Sequence, residues 1–283
     1  MLRLTVGFVM VVLAAPAFAQ APAEPLRFKW QAGQVLNYTV EQVTTVQETT
    51  LDETTNKPVV GGTLTRLNLT KRWDVKAVDP AGIATLELSV AAMRQELARP
   101  GVIDKDGQPT VIKTIVDSAT PEGKQQLDAY LNKPVMTVKV DSLGRVIEAT
   151  AVGGNVERLK AELPFRLSFP EAAAATWDRS FTIKLDPPLG TGEKYDATQT
   201  YTAKATQDGL AVLGVSTVLK NPPKDSADLP PLVPMLWTGD VFFDPTAGRY
   251  VGARLTVKTE VLNHQGEGTK FVYESKYAEA LQK

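Results

Sequence analysis

Residue types that commonly carry out chemistry are scarce in this sequence. It contains one histidine, His264, and no cysteine. Zinc and copper sites use several histidine or cysteine ligands, so a single histidine predicts no such site. His264 lies in a glycine-rich turn, between Asn263 and Gln265, where we expect its side chain to be exposed to solvent. The sequence therefore predicts neither a metal nor another cofactor.

Motifs for catalysis and nucleotide binding are also missing. The sequence has no Gly-x-Ser-x-Gly elbow, no Ser-x-x-Lys at a helix start, no P-loop and no dinucleotide fingerprint. Asp104 and Asp106, followed by Gly107, resemble the start of a calcium loop, but the third acid and the distal glutamate are absent, which favours a plain turn. Carboxylates occur along every polar strand face, so none stands out as a glycosidase pair. We predict that the protein is not an enzyme.

Large apolar side chains are the remaining candidates for a binding site. The chain has four tryptophans, spread along its length. Tryptophan often lines sites for lipids or sugars, and the inner face of a curved sheet can line an apolar cleft. The same rings can equally form an ordinary core, which is the commoner case. The candidate ligand-binding residues are Trp73, Trp177, Trp237, Phe243 and Met136.

The elements that would position these residues are β-hairpins. Asp244-Pro245 and Gly248 predict a tight turn, because proline presets φ and glycine accepts a positive φ. From Val251 onward apolar and polar residues alternate with a period of two, which predicts a half-buried antiparallel strand. Most of the chain repeats this pattern. We predict a mainly β fold, an antiparallel meander that forms a curved, open, half-barrel-like sheet with a few short helices.

Some segments depart from the hairpin pattern. A capping hydroxyl followed by proline predicts a helix over 121–132, and an apolar stripe predicts another over 155–163. Alternation predicts strands at 26–30 and 165–169. The proline-rich segment 221–234 suits neither a central strand nor a helix, and is either a flap over a cleft or an irregular packed loop.

The N-terminus predicts export. Residues 1–19 have a short positive start, an apolar run and an Ala-x-Ala cleavage site, which together indicate a signal peptide. Residues 20–25 form a flexible leader, and residues 26–283 form a single β-rich domain. No cysteine lies at the cut for lipid attachment, and no later run is apolar enough to span a membrane. We expect a soluble protein in the periplasm or outside the cell.

An internal duplication is a further prediction. Residues 70–78 and 198–206 match without a gap, and the turns at Asp141 and Asp244 resemble each other. Hairpins with Asp and Gly turns also look alike by chance, because few residues suit these turns. The predicted halves are 26–152 and 177–283, joined by 153–176.

The segments Ala32–Tyr38 and Phe243–Arg249 resemble those of an uncharacterised exported bacterial family that is rich in such hairpins. Long antiparallel meanders behind a signal peptide, with short helices across a concave sheet, resemble the LolA/LppX-like lipoprotein carriers. The first resemblance implies no known activity. The second is architectural and implies a cavity for an acyl chain.

Two functions follow from these observations. The first is a cell-envelope protein that binds an apolar or amphipathic, lipid-like ligand on its sheet. The alternative is a structural or protein-interaction module without a small-molecule ligand, which would use exposed strand edges or the Thr-rich tip at 44–56. The formal net charge of −1 gives no basic surface for nucleic acid.

Overall fold

The structure, a computed structural model, describes residues 24–52, 54–103, 109–151, 163–185, 187 and 190–282. The strands are Val35–Leu51 (β1), Pro58–Val78 (β2), Ala84–Ile103 (β3), Pro109–Asp117 (β4), Pro134–Val140 (β5), Val146–Ala151 (β6), Thr176–Leu185 (β7), Glu193–Ala203 (β8), Ala211–Leu219 (β9), Thr238–Asp244 (β10), Arg249–Leu262 (β11) and Lys270–Leu281 (β12). Helix α1 is Pro121–Leu127, and 3₁₀ helices cover Ser226–Asp228 and Val233–Met235. The signal peptide, the turn at Asp104 and nearly all of the predicted helix over 155–163 lie outside the described residues.

All twelve strands form one antiparallel sheet, which confirms the predicted fold class. Their order is β6-β5-β3-β2-β1-β12-β11-β10-β9-β8-β7, with β4 beside the distal part of β3. Neighbours in the sheet are mostly neighbours in the chain, because hairpins connect them. There are two exceptions. Strand β3 pairs with β5 as well as with β4, and β1 pairs with β12 from Tyr38↔Leu281 to Thr49↔Lys270 and so joins the two ends of the meander. The sheet stays open, with β6 and β7 at its two ends.

One face of this sheet carries the core. Leu36, Tyr38 and Val40 alternate along β1 as buried residues, and Tyr273 and Tyr277 do so along β12. We call this side the core face and the opposite side the outer face. A single sheet must cover its apolar face with other parts of the chain. Here the cover consists of irregular segments around residues 24–31, 163–175 and 226–237.

The predicted strand at 26–30 is wrong. This segment is extended but lies outside the sheet, held between two hairpin turns: Phe28 N donates to Ser142 O at 2.7 Å, and Lys29 N donates to Gly248 O at 2.8 Å. Its alternation has another cause. Phe28 points into the core, and the side chain of Lys29 donates to the carbonyl oxygen of Thr246 at 3.1 Å.

The predicted strand at 165–169 is also wrong. Residues 163–169, which we call the plug segment, form no strand and lie across the core face. Leu163 and Arg166 have φ values of 53° and 55°, a left-handed conformation that no strand contains. Phe165, Leu167 and Phe169 are buried because every second side chain points at the sheet.

Helix α1 begins where the sequence indicates but ends earlier. Thr120 caps it by accepting a hydrogen bond from Gly123 N at 3.1 Å. The helix ends at Leu127 instead of near residue 132. Gly123 is required there by packing, since a Cβ at this position would lie 2.0 Å from the carbonyl oxygen of Asp117 at the end of β4.

The proline-rich segment packs as an irregular loop containing both 3₁₀ helices. Leu232 and Val233 are fully buried and hold it against the protein. The duplication stays a prediction. Two meanders, β2-β3-β5-β6 and β8-β9-β10-β11, have the order that it requires, and the matched residues Trp73 and Tyr201 are both buried on the core face.

Candidate functional site

An aromatic layer covers the centre of the core face. Phe165, from the plug segment, lies in its middle. The distances from its ring centroid to its neighbours are 5.3 Å to Trp73, 5.4 Å to Trp30, 5.7 Å to Phe28, 5.9 Å to Tyr250 and 6.3 Å to Tyr38. We call these six residues the aromatic layer. Side chains from four distant parts of the chain thus surround one phenyl ring.

The structure places two of the five candidate residues in or beside this layer: Trp73 belongs to it, and the ring of Phe243 lies 5.2 Å from that of Phe28. Trp73 and Phe243 are buried within the core, and Phe243 packs edge-on against Phe169 at 4.8 Å. Trp177 stacks on Tyr201 at 5.3 Å and is partly exposed. Trp237 also packs on the core face but outside this layer, with its ring centroid 5.9 Å from that of Tyr277.

Met136 is the fifth candidate. It lies on β5, between Leu88 and Ala151 of the adjacent strands, and packs against the edge of the core. Whether any of the five binds a ligand stays a prediction. An open pocket of about 420 Å³ lies where residues 24–29 meet Ala203 and Leu213. Two further cavities on this face are much smaller, about 10 Å³ beside Trp177 and about 20 Å³ beside Trp237. Such a space holds about one water molecule.

A buried carboxylate lies next to the aromatic layer. Glu279 of β12 has a side chain only 2% exposed, and it forms an ion pair with Lys71 of β2 at 3.0 Å. Its second oxygen accepts hydrogen bonds from Tyr277 Oη at 2.7 Å and from Tyr250 Oη at 2.8 Å. Tyr38 Oη in turn donates to the carbonyl oxygen of Tyr250 at 2.9 Å. The hydrogen bonds compensate for the loss of water around Glu279.

The ion pair controls the protonation of this cluster. Burial by itself raises the pKa of Glu279, but Lys71 and the hydrogen bonds outweigh burial and hold that pKa below its usual value. Burial likewise lowers the pKa of Lys71, and the nearby Glu279 reverses this and raises it. Burial, and next the Glu279 charge, raise the pKa of Tyr250 well above its ordinary value. The cluster is therefore a carboxylate, an ammonium and neutral phenols at neutral pH.

A cation lies against two adjacent aromatic rings beside this cluster. The Arg166 guanidinium is 4.8 Å from the centroid of the Tyr277 ring and 6.0 Å from that of Trp237. The two rings are 5.9 Å apart and tilted by 56°. Lys71 Nζ lies 5.8 Å from the Tyr277 ring. These distances suit cation–π interactions. We call the Trp237 and Tyr277 rings the cation pocket.

A second polar chain continues toward β8. Tyr201 Oη donates to Gln199 Oε1 at 2.6 Å, and Gln199 Nε2 donates to Thr217 Oγ1 at 3.1 Å. Burial raises the pKa of Tyr201 to about 12. Burial also lowers the pKa of Arg179, whose Nη1 donates to Gln199 Oε1 at 3.4 Å. These hydrogen bonds satisfy polar groups inside the core.

The predicted exposure of His264 is wrong. Its side chain is 4% exposed, and Nε2 lies 2.8 Å from Glu48 Oε1 on β1. The glycine-rich turn folds back onto the end of β1, which the local sequence does not reveal. Nearby carboxylates do not complete a metal site: among the residues that the structure describes, no group of three His, Cys, Asp or Glu residues could hold a metal ion.

The outer face carries a separate groove of about 450 Å³. Its floor is shallow because Gly252, Ala278 and Ala280 are small, and they lie side by side in β11 and β12. Phe242 forms one wall, and Arg254 lies 5.5 Å above its ring. None of the five predicted binding residues lines this groove.

The residues missed from the sequence are those with partners far along the chain. Lys71 and Glu279 are 208 positions apart, and each appears in the sequence as an ordinary charge on a strand. Glu279 did give one signal, because it shares the parity of Tyr273 and Tyr277 on the apolar side of β12. Phe165 gave a similar signal through its alternation with Leu167 and Phe169.

Comparisons with known proteins bear on the fold. No protein-family model matches the sequence, and no curated protein matches it. A solved structure described as "Lipid-protein interactions in lipovitellin" aligns with 90% of this chain at 13% identity, with a TM-score of 0.51. The chain spans about a quarter, 26%, of that lipovitellin chain. An outer membrane channel from Pseudomonas putida F1 aligns over 95% of this chain and 100% of its own, at 7% identity and a TM-score of 0.25. The likeness to lipovitellin is one of fold, and the LolA-like resemblance is not confirmed.

Proposed function

We propose that the protein is exported and binds an apolar or amphipathic, lipid-like ligand on the core face of its open sheet, without catalysing a reaction. One observation carries this proposal: a continuous aromatic and aliphatic face covers one side of a single open sheet, and irregular segments alone form its described cover. Such segments move more easily than a second sheet would. The name of the lipovitellin structure, which refers to lipid–protein interactions, agrees with this ligand class.

The ligand would enter by displacing the plug segment. The cavities beside Trp177 and Trp237 leave no room for an acyl chain while Phe165 is in place. Leu163 and Arg166 hold left-handed conformations, which cost about 1–2 kcal/mol for each residue. Release of this strain lowers the cost of moving the plug. The apolar ligand would then replace the Phe165 ring against Trp73 and its neighbours.

The non-catalytic part of the proposal rests on the state of the buried ionisable groups. Glu279 already accepts hydrogen bonds from Lys71, Tyr250 and Tyr277, so it has little capacity left to act as a base. The residues at 1–19 support export. Among the described residues, no helix has the length and apolar character needed to cross a bilayer.

Tryptophan fluorescence tests the proposal directly. All four tryptophans lie in or against the core cluster, so a brominated fatty acid bound on the core face should quench their emission. We expect saturable quenching by the brominated acid, reversed by the same acid without bromine. Lipid extraction of the purified protein, followed by mass spectrometry, is the second measurement. Absence of both quenching and co-purified lipid would refute the proposal.

A structural or protein-interaction module is the second candidate. The close packing of the aromatic layer around Phe165 favours it, because a filled core face needs no ligand for stability. Under this alternative the brominated acid leaves the fluorescence unchanged. The two functions are thus separated by one titration.

A further inference from the structure

The cation pocket has the composition of a site for an organic cation. Trp237 and Tyr277 are both buried, at 8% and 4% exposure, and their rings converge on one positive charge. Aromatic pairs of this kind bind quaternary ammonium groups, because the faces of the rings are electron-rich. The occupant here is Arg166, which belongs to the plug segment and is half-buried. The chain therefore fills this position with its own cation.

A group that replaces Arg166 at these two rings makes the same contact only if it is also a cation. Glu279 is paired with Lys71, and the Tyr277 ring has Lys71 on one side and Arg166 on the other. Phe165 and Arg166 are adjacent in the plug segment, one in the aromatic layer and one in the cation pocket. Together they place an apolar group next to a positive group. A ligand that displaces the plug segment can make the same two contacts if it carries an apolar group next to a positive group, as Phe165 and Arg166 do.

We propose that Trp237 and Tyr277 form the head-group subsite of the ligand, which selects a quaternary-ammonium head of the choline type, and that Arg166 occupies this subsite until the ligand displaces it. This inference rests on the proposed lipid binding and names the class of lipid. A cavity of about 20 Å³, lined by Arg166, Trp237 and Met235, lies beside the pocket, and the ligand head takes the space that Arg166 leaves. Free choline and a choline lipid share the head group, and the acyl chain distinguishes them.

The first test compares head groups on the full mature protein. The probes are lysophosphatidylcholine, lysophosphatidylglycerol and a monoacylglycerol with one common brominated acyl chain, and choline without a chain. We expect lysophosphatidylcholine to bind about tenfold more tightly than the other two lipids, the size of a partly desolvated cation–π interaction. We expect choline alone to bind more weakly than lysophosphatidylcholine. Equal binding of the three lipids overturns the head-group assignment and leaves lipid binding intact, whereas binding of none refutes both.

The second test uses variants with opposite expected signs. Trp237→Leu should lower the affinity for lysophosphatidylcholine about tenfold and leave the monoacylglycerol unchanged. Arg166→Gln should raise the affinity for lysophosphatidylcholine severalfold, because it removes the competing cation. Arg254→Gln is the matched control, since Arg254 lies over Phe242 on the outer face in a similar contact. If Arg166→Gln weakens binding and lysophosphatidylglycerol binds best, Arg166 is an anion receptor and the proposal is wrong. Arg166→Lys replaces Arg166→Gln if thermal unfolding shows that the glutamine variant does not fold, and it should then leave the preference for choline intact.

Discussion

Replacing Lys71 by methionine should show how strongly the buried Glu279 carboxylate destabilises the protein when it has no cation beside it. Glu279 is 2% exposed, and Lys71 is its only partner of opposite charge among the described residues. The hydrogen bonds from Tyr250 and Tyr277 would remain, at 2.8 and 2.7 Å. Removing one partner of a buried ion pair typically costs about 3–5 kcal/mol of stability, because a charge is left without compensation. We expect Lys71→Met to lower the free energy of unfolding by this amount.

Urea unfolding at pH 7 measures this loss, and two further variants control it. Lys276→Met removes a mostly exposed lysine from β12, the strand that carries Glu279, and should change the free energy of unfolding by less than about 0.5 kcal/mol. The double variant Lys71→Met/Glu279→Gln keeps the shape and removes both charges. It should recover most of the loss, because neutral replacement of a buried ion pair is often tolerated.

The pH dependence gives the sharpest check, because the two proteins should respond in opposite directions. In the wild type the pKa of Glu279 lies below its usual value, so its contribution is present above about pH 4.3, the unfolded value, and is lost as the pH falls through the folded pKa. Without Lys71, burial is no longer outweighed and raises that pKa. The stability of Lys71→Met should therefore increase as the pH falls from 7 toward 5. A loss below about 1 kcal/mol at pH 7, or parallel pH profiles, would refute the reasoning.

Three further substitutions test the core face by urea unfolding. Phe165→Ala should lower the free energy of unfolding by about 3–5 kcal/mol, since the ring is fully enclosed. Phe242→Ala on the outer face should lower it clearly less, and equal losses would contradict the central place of Phe165. Gly144→Ala should lower the free energy of unfolding by about 2 kcal/mol or more, because φ is 81° and the new Cβ would lie 2.7 Å from Phe28 Cε2. An unchanged free energy of unfolding would mean that this turn does not hold the N-terminal segment. Tyr250→Phe should cost about 1.5–3 kcal/mol through the lost hydrogen bond to the carboxylate, and an unchanged stability would contradict the described cluster.

The turns and strands could be read from the sequence because their causes are local. Asp141 accepts hydrogen bonds from Leu143 N and Arg145 N, both at 2.9 Å, and Gly144 has the positive φ that the turn needs. Asp244 accepts from Ala247 N in the same way. A residue two to four positions away supplies each partner, so composition and spacing contain the necessary information.

The alternation of apolar and polar residues predicted structure less well where a segment packs on the core face instead of pairing as a strand. Phe28 and Phe165 both alternate with polar neighbours, and neither belongs to a strand. Their side chains face the core for the same reason as those of a strand, since an extended chain presents every second residue to one side. The pattern therefore reported burial correctly and strand pairing wrongly. The prediction for His264 was wrong in the opposite sense. Its side chain was expected to be exposed, but it contacts Glu48, 216 positions earlier in the chain.

The sequence by itself determined the hairpins, their turns and the face of each strand that is apolar, because these depend on neighbours along the chain. The tertiary structure alone decided which strands meet at β1 and β12, which segment covers the core face, and which charges are buried together. Lys71 and Glu279 look like any exposed pair until the pairing of β1 with both β2 and β12 brings them within 3.0 Å of each other. Arg166 reaches the cation pocket through the path of the plug segment. Desolvation and charge pairing act over distance in space, and distance along the chain does not encode them.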